Sequence, residues 1–189
     1  ASIHHLLLTD GACASFDPAT KFRPPLRTEA DRIAMVAALA AGDVDAVVSD
    51  HTPHSIEDKE VPFDEAAPGA SSLQWLLSLA LTDLAIGDTA GAGPVGAAPG
   101  PVGLAPLIGA LSWGPRAVLT GPAGAGGRVE AGTVADLTVI DPTATWTLDP
   151  GRGASRTRTT PFAGRALRGR VRHTIVGGVP VVIDAVAQR

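Results

Sequence analysis

The stretch that most constrains this chain is Val44-Asp45-Ala46-Val47-Val48-Ser49-Asp50-His51-Thr52-Pro53-His54. Apolar, mostly β-branched residues run up to an acid, and two histidines and a proline follow within four positions. Val44, Ala46, Val47 and Val48, bounded upstream by Gly42-Asp43, read as a short buried strand. A nearly continuous apolar strand between helical patterns is the mark of a parallel sheet covered on both faces. The pattern therefore predicts an α/β fold with Asp50 at the carboxyl end of a strand. In a barrel of alternating strands and helices, active sites are built at that end. A carboxylate binds Zn²⁺ or takes a proton, and a neutral imidazole does the same or hydrogen-bonds a substrate. The plainer alternatives are an Asp that caps a helix or makes a turn and histidines that only pack.

Composition bounds the function classes. The 189 residues are 45% hydrophobic and 18% charged, with a net charge of −4 and no basic run. Such a chain buries a core, and its charge argues against a nucleic-acid or anionic-membrane partner. No segment has the length of a membrane span without Gly, Pro or charge. One cysteine, Cys13, excludes an internal disulfide framework and fits a reducing, cytoplasmic compartment; it reads as a small buried hydrophobe.

Along the chain, Ile3 to Leu8 reads as a strand or its end, with His4 and His5 packed there. Thr28 is the expected N-cap of a helix whose first turn holds Glu29 and Asp31 and whose apolar face is Ile33, Val36, Ala37 and Ala40. Gly42 closes it. The segment from His51 to Gly69 is a long charged loop, of the kind that serves a site, and Lys59 within it reads as part of a solvated cluster with Glu57, Asp58 and Glu60. At Pro68-Gly69 a backbone N–H can approach a ligand closely. Ser71 and Gln74 form a capping-box pattern before a leucine-rich helix that ends at Gly87. Trp75 beside it is expected to pack. Residues 88–103, nearly all Gly, Ala, Pro, Val and Thr, read as a flexible loop. Short helices follow at Leu104–Leu111 and Pro115–Leu119. Gly124 to Gly127 is turn-rich, and beyond it strands are expected from Val134 to Ile140, ended by Asp141-Pro142, and at Val171–Val176. An arginine-bearing loop without acids covers 150–161, and Gly177-Gly178 joins a hairpin to Val179–Ile183.

Four segments together carry a family resemblance. Ser49-Asp50-His51-Thr52-Pro53-His54 resembles the DHAPH signature of dihydroorotases, in the amidohydrolase superfamily. His4-His5-Leu6-Leu7-Leu8-Thr9 resembles the family's PHHLLLT stretch. Pro24-Pro25-Leu26-Arg27-Thr28-Glu29-Ala30-Asp31-Arg32 resembles its NPPLRSxxDR stretch. Glu57-Asp58-Lys59 with Pro62-Phe63-Asp64-Glu65-Ala66-Ala67-Pro68-Gly69-Ala70 resembles its EEK…PFxxAPxG stretch. A weaker similarity, Gly132 to Asp141, is to the superfamily's G-x-x-ADL-x-V-x-D strand pair.

This resemblance implies the carboxyl-terminal portion of a TIM-like (β/α)8 amidohydrolase barrel in residues 1–122, followed by strands of a small β-sandwich in 123–189. It implies the reversible hydrolysis of dihydroorotate to carbamoyl-aspartate in pyrimidine synthesis. Asp50 would be a zinc ligand and the proton carrier, His54 a contact to the substrate carboxylate, and the Pro68-Gly69 backbone a support for the ring. His51 has no such role and reads as structural. The family's substrate-binding Asn precedes Pro-Pro-Leu-Arg; here that position is Arg23, which offers donors and a charge but no acceptor. The remaining zinc ligands, an H-x-H pair among them, are expected upstream of Ala1, so the chain is expected to be part of a longer enzyme and inactive alone. A homo-oligomer or association with a transcarbamoylase is the expected assembly. The alternatives are a related cyclic amidohydrolase, such as an allantoinase or hydantoinase, and a non-catalytic dihydroorotase-like scaffold.

Overall fold

A computed structural model describes residues 1–85, 102–120 and 129–188. The first part is helical and loop-rich: α1 (Ile3–Leu7), α2 (Glu29–Ala41), α3 (Leu76–Asp83), α4 (Leu104–Leu111) and α5 (Trp113–Thr120). An antiparallel sheet follows, β1 (Leu137–Thr147), β2 (Ala166–Val176), β3 (Val179–Ile183) and β4 (Val186–Ala187), in that spatial order. Ile3, Leu6, Val36, Leu39 and Val47 share one core with Leu79, Leu81 and Leu84 of the α3 region and with Leu148, Phe162 and Leu167 from the second part.

The strand expected at Val44–Val48 shrinks to a single parallel bridge between Ser2 and Val48. The physical reason is that its neighbours offer few groups. Val48 N–H donates to Ala1 O and Ile3 N–H to Val48 O, after which Ile3 enters α1; on the other side Val47 N–H reaches only Ala110 O, at the end of α4. Two more parallel bridges join His51 to Ala70 and Ala85 to Val102. The segment Ile3–Leu8 is likewise helix rather than strand. Ser2 caps it by accepting from His4 N–H, and His4 and Leu6 are buried.

Helix α2 begins as expected. Thr28 and Asp31 cap each other reciprocally, a capping box, and Gly42 closes the helix at φ 86°. Its buried face is shifted by one residue from the expected one. Val36 and Leu39 face inward with half-buried Met35, while Ile33 is exposed. Arg32 sets this phase: it lies on the inward side, pairs with Glu29 and donates to Leu6 O. A stripe that starts on a charged residue is invisible to an apolar count.

The Ser71/Gln74 capping box does not form. Ser72 Oγ instead donates to Ser49 O, and Gln74 Oε1 accepts from Ala154 N–H, so both side chains tie distant loops. The helix starts as a single 3-10 turn, Leu73–Trp75, continues as α3 and ends at Asp83 rather than Gly87. Trp75 is buried, as expected of a packing residue. Of the loop expected at 88–103, residues 88–101 lie outside the described residues; Val102 is buried and Gly103 precedes α4. The helices expected at Leu104–Leu111 and Pro115–Leu119 are α4 and α5. Gly124 to Gly127 also lies outside the described residues.

In the sheet, β1 runs through Asp141-Pro142 rather than ending there. Asp141 Oδ1 accepts from Thr143 N–H, Thr143 Oγ1 and Ala144 N–H, which absorbs an irregularity between Asp141 and Thr145. The Gly177-Gly178 turn is a two-residue hairpin with both φ positive, 56° and 83°. Helix α3 lies on β2. Ser78 Oγ donates to Gly169 O, Thr82 Oγ1 accepts from Arg168 N–H, and Gly169 (φ 85°) leaves room for Leu81.

Candidate functional site

Asp50 follows the Val48 bridge in a left-handed conformation, φ 50°. Asp tolerates this region better than most residues, and the bend turns its carboxylate back toward the amino end of α1. Ser2 Oγ donates to Oδ2 at 3.1 Å, and His4 Nδ1 lies 3.6 Å from the same oxygen. Among the described residues no hydrogen bond reaches Oδ1. The Asp50 side chain remains 34% exposed, at the edge of a cleft of about 410 Å³ shared with Ser2, His5, Val48 and Arg27. This is a carboxylate held at one oxygen and open at the other.

His4 is wholly buried, stacked on Phe22 at 4.2 Å between ring centroids and parallel to Phe162 at 5.9 Å. Burial pushes its pKa down to about 4, opposed by the Asp50 carboxylate and reinforced weakly by His5. It is therefore a neutral ring at physiological pH, packed as the sequence suggests, though in a helix. His5 Nε2 lies 3.1 Å from Pro24 O and 3.3 Å from Pro25 O, which fastens the Pro24-Pro25 turn. Arg23 precedes that turn and is exposed.

His51 is tied to backbone. Its Nδ1 accepts from Ser72 N–H and Leu73 N–H, the first donors of the turn that leads into α3. That assigns its proton to Nε2. His54 has the same tautomer for a different reason: Nε2 lies 2.9 Å from Pro68 O and donates to it. His54 borders a second cleft, of about 830 Å³, with Ser55, Glu60, Arg156 and Arg158.

The Pro68-Gly69 turn is more occupied than the sequence implies. Gly69 N–H donates to Lys21 O at 2.8 Å, so it is not available to a ligand, and its carbonyl accepts from Lys59. Gly69 has φ 128°, and a Cβ there would lie 2.6 Å from Thr52 Cβ, so the turn requires glycine. Pro68 offers its carbonyl, which already holds His54.

Lys59 overturns its expected place. It is buried, not solvated, and its ammonium donates to Pro18 O at 2.6 Å, Ala67 O at 2.8 Å and Gly69 O at 2.9 Å. Burial lowers its pKa, with Asp17 opposing. Carbonyl partners belong to the backbone of any residue, so no sequence pattern announced this role. Ser2 was also missed: with Ile3 to Leu8 read as a strand, no helix start marked its hydroxyl as a cap.

Among the described residues no group of three His, Cys, Asp or Glu side chains is placed to hold a metal. Asp50 fits a shared metal as one ligand, because Oδ1 is open while Oδ2 is oriented by Ser2.

No family model matches the chain. Structures similar over its whole length are an L-hydantoinase (dihydropyrimidinase) from Arthrobacter aurescens, with TM-score 0.84 and 26% identity, and a D-hydantoinase (dihydropyrimidinase) from Thermus sp., with TM-score 0.76 and 23% identity; each is covered over 40% of its length. The chain therefore has the α/β fold of the hydantoinase-type amidohydrolases over the part that it spans. By sequence it is 42% identical to a dihydroorotase from Anaeromyxobacter dehalogenans (98% of this chain, 40% of that one). It is 39% identical to a dihydroorotase from Streptomyces coelicolor (96% and 39%) and 38% identical to one from Syntrophus aciditrophicus (93% and 37%). The chain is a dihydroorotase homologue that spans about two fifths of the length of the curated relatives it matches.

Proposed function

We propose that this chain supplies the Asp50 and His54 portion of a zinc-dependent dihydroorotase, which interconverts dihydroorotate and carbamoyl-aspartate in pyrimidine synthesis. The observation that carries the reading is Asp50: a motif carboxylate bent into a cleft, fixed at one oxygen by Ser2 and open at the other. Opening a cyclic amide at neutral pH needs a nucleophile, a polarised carbonyl and a proton for the departing nitrogen. Zinc, when bound, supplies Lewis acidity and acidifies water. Asp50 would hold the ion through Oδ1, accept the proton of the attacking water and hand it to the ring nitrogen. Ser2 holds Oδ2 and so limits the rotation of the carboxylate. The neutral, buried His4 backs it without competing for the proton. The other ligands would come from residues outside those described.

His54 would hydrogen-bond the substrate carboxylate. The Nε2–H bond to Pro68 O would hold the ring in place for that contact. Arg23, exposed beside the Pro24-Pro25 turn, would add a charge where the family has an amide. The Pro68-Gly69 turn would support the ring by shape rather than by the Gly69 N–H. The division at 122 and 123 into a barrel part and a sandwich part belongs to the same reading. It is supported by the three parallel bridges in the first part and by the exposed valines of the sheet, Val139, Val179 and Val181, which a second sheet would cover. A cytoplasmic location and association with further copies or with a transcarbamoylase follow from it.

The test is turnover of dihydroorotate by the full-length protein loaded with zinc, with Asp50→Asn beside it. Turnover in the parent and its loss in the variant support the reading; turnover that Asp50→Asn leaves intact refutes it. A second reading, a hydantoinase or allantoinase, is compatible with the likeness to an L-hydantoinase. Faster turnover of hydantoin or allantoin than of dihydroorotate decides for it. A full-length protein that holds no zinc and co-purifies with a transcarbamoylase indicates a scaffold.

A further inference from the structure

A lysine ammonium has three N–H donors and no acceptor, and inside a protein each needs a partner. Lys59 has all three, and all are backbone carbonyls from two separate segments: Pro18 on one side, Ala67 and Gly69 on the other. Among the described residues no carboxylate pairs with it. The last two carbonyls flank Pro68, whose own carbonyl accepts the Nε2–H of His54. The peptide that sets the His54 tautomer is thus gripped on both sides by one ammonium. A second tie, from Gly69 N–H to Lys21 O, holds the same turn against the Pro18–Thr20 segment.

We propose that Lys59 is a positioning residue for His54: by holding Ala67 and Gly69 it fixes the Pro68 carbonyl, and with it the Nε2–H bond that orients the His54 ring. This rests on the reading of His54 as the contact to the substrate carboxylate. The residue acts through the backbone and touches no substrate. Its loss therefore weakens recognition of a carboxylate more than it slows the chemistry at Asp50, to which Lys59 makes no hydrogen bond.

The test is a double-mutant cycle in the full-length, zinc-loaded protein with Lys59→Met and His54→Ala, read by steady-state kinetics on dihydroorotate. Lys59→Met should raise KM about tenfold, the worth of one hydrogen bond to a charged group. It should leave kcat within about twofold. The double variant should be no worse than His54→Ala alone. Additive losses, or a fall in kcat at constant KM, overturn the proposal. Lys59→Arg keeps the charge, but its planar fork cannot point at three converging carbonyls; it should show a smaller rise in KM, and it replaces Lys59→Met in the cycle if that variant does not fold. The second readout is the His54 tautomer by ¹⁵N NMR of histidine-labelled protein. The parent should show the proton on Nε2 and the Lys59 variant a mixture of tautomers, whereas an unchanged tautomer overturns the proposal. If the parent does not turn over dihydroorotate, the functional reading fails by itself, and the tautomer measurement alone decides the role of Lys59.

Discussion

Two regions of this molecule hold their backbones in opposite ways. The sheet of β1 to β4 is held by its own ladder, backbone to backbone, and many of its side chains face outward. The segment from Ser49 to Ser72 has almost no ladder, with one parallel bridge at His51 and Ala70. There, side chains hold backbone: His51 takes the N–H groups of Ser72 and Leu73, His54 and Lys59 take the carbonyls around Pro68, and Ser72 takes Ser49 O. Ladder groups are present in every residue but proline, so a sheet tolerates side-chain change on its open face. A side-chain tether is lost with a single substitution. The candidate site sits in the region with the least redundancy, where a loop can be shaped for a ligand.

That contrast can be broken by substitution. The largest effect should fall on activity at Asp50. Asp50→Asn in the full-length protein keeps the shape and is expected to lower kcat by about three orders of magnitude, within the range for a positioned proton carrier. Stability should change little, and parallel melting curves check this. Next comes Lys59→Met in the 189-residue chain, which takes the ammonium from Ala67 O and Gly69 O while Pro18 O keeps Lys21 N–H, and should destabilise by about 3 kcal/mol, read from the denaturant midpoint at constant m-value. Val181→Thr on the sheet is the counterpart, expected within about 0.5 kcal/mol. If the two shift the midpoint equally, the distinction between tether and ladder fails.

The buried His4 gives a pH signature. Its folded pKa, about 4, lies below the ordinary 6.5, so the unfolded chain binds the extra proton between those values. The stability contribution is complete above about pH 6.5 and declines as pH falls toward about 4, by on the order of 3 kcal/mol in total. His4→Gln should flatten that slope in urea titrations of the metal-free chain. A slope that persists unchanged assigns it to other groups.

The smallest contrast lies between two glycines of similar backbone. Gly169 and Gly178 have φ 85° and 83°, but a Cβ at Gly169 meets Leu81, whereas one at Gly178 meets open space. Gly178→Ala should cost about 1 kcal/mol from the backbone alone, and Gly169→Ala about 2 kcal/mol more from overpacking against α3.

The same contrast governs what was legible in the sequence. The Gly177-Gly178 hairpin and the Val179–Ile183 strand were readable because alternation and turn chemistry are local. The caps of α2 were readable for the same reason, since Thr28 and Asp31 are three residues apart. Its buried face was not, because Arg32 begins the inward stripe with a charged head and an apolar stem. Asp50 and His54 were legible as a motif. What the residues around them do was not: Ser2 lies 48 positions from Asp50, and Lys59 reaches carbonyls 41, 8 and 10 positions away. The Val44–Val48 run had the composition of a strand but lacked neighbours to pair with among the described residues, and composition does not report neighbours.

The buried ammonium also has a consequence for handling the protein. The sequence has two lysines, Lys21 and Lys59. Lys21 rests at the surface on Asp64 O, and Lys59 is sealed under the loop. Amine-reactive dyes and crosslinkers therefore have one lysine side chain to find in the folded chain and two once the loop lifts. The ratio of label at the two positions, read by peptide mass, is a built-in gauge of whether the segment around the candidate site is closed.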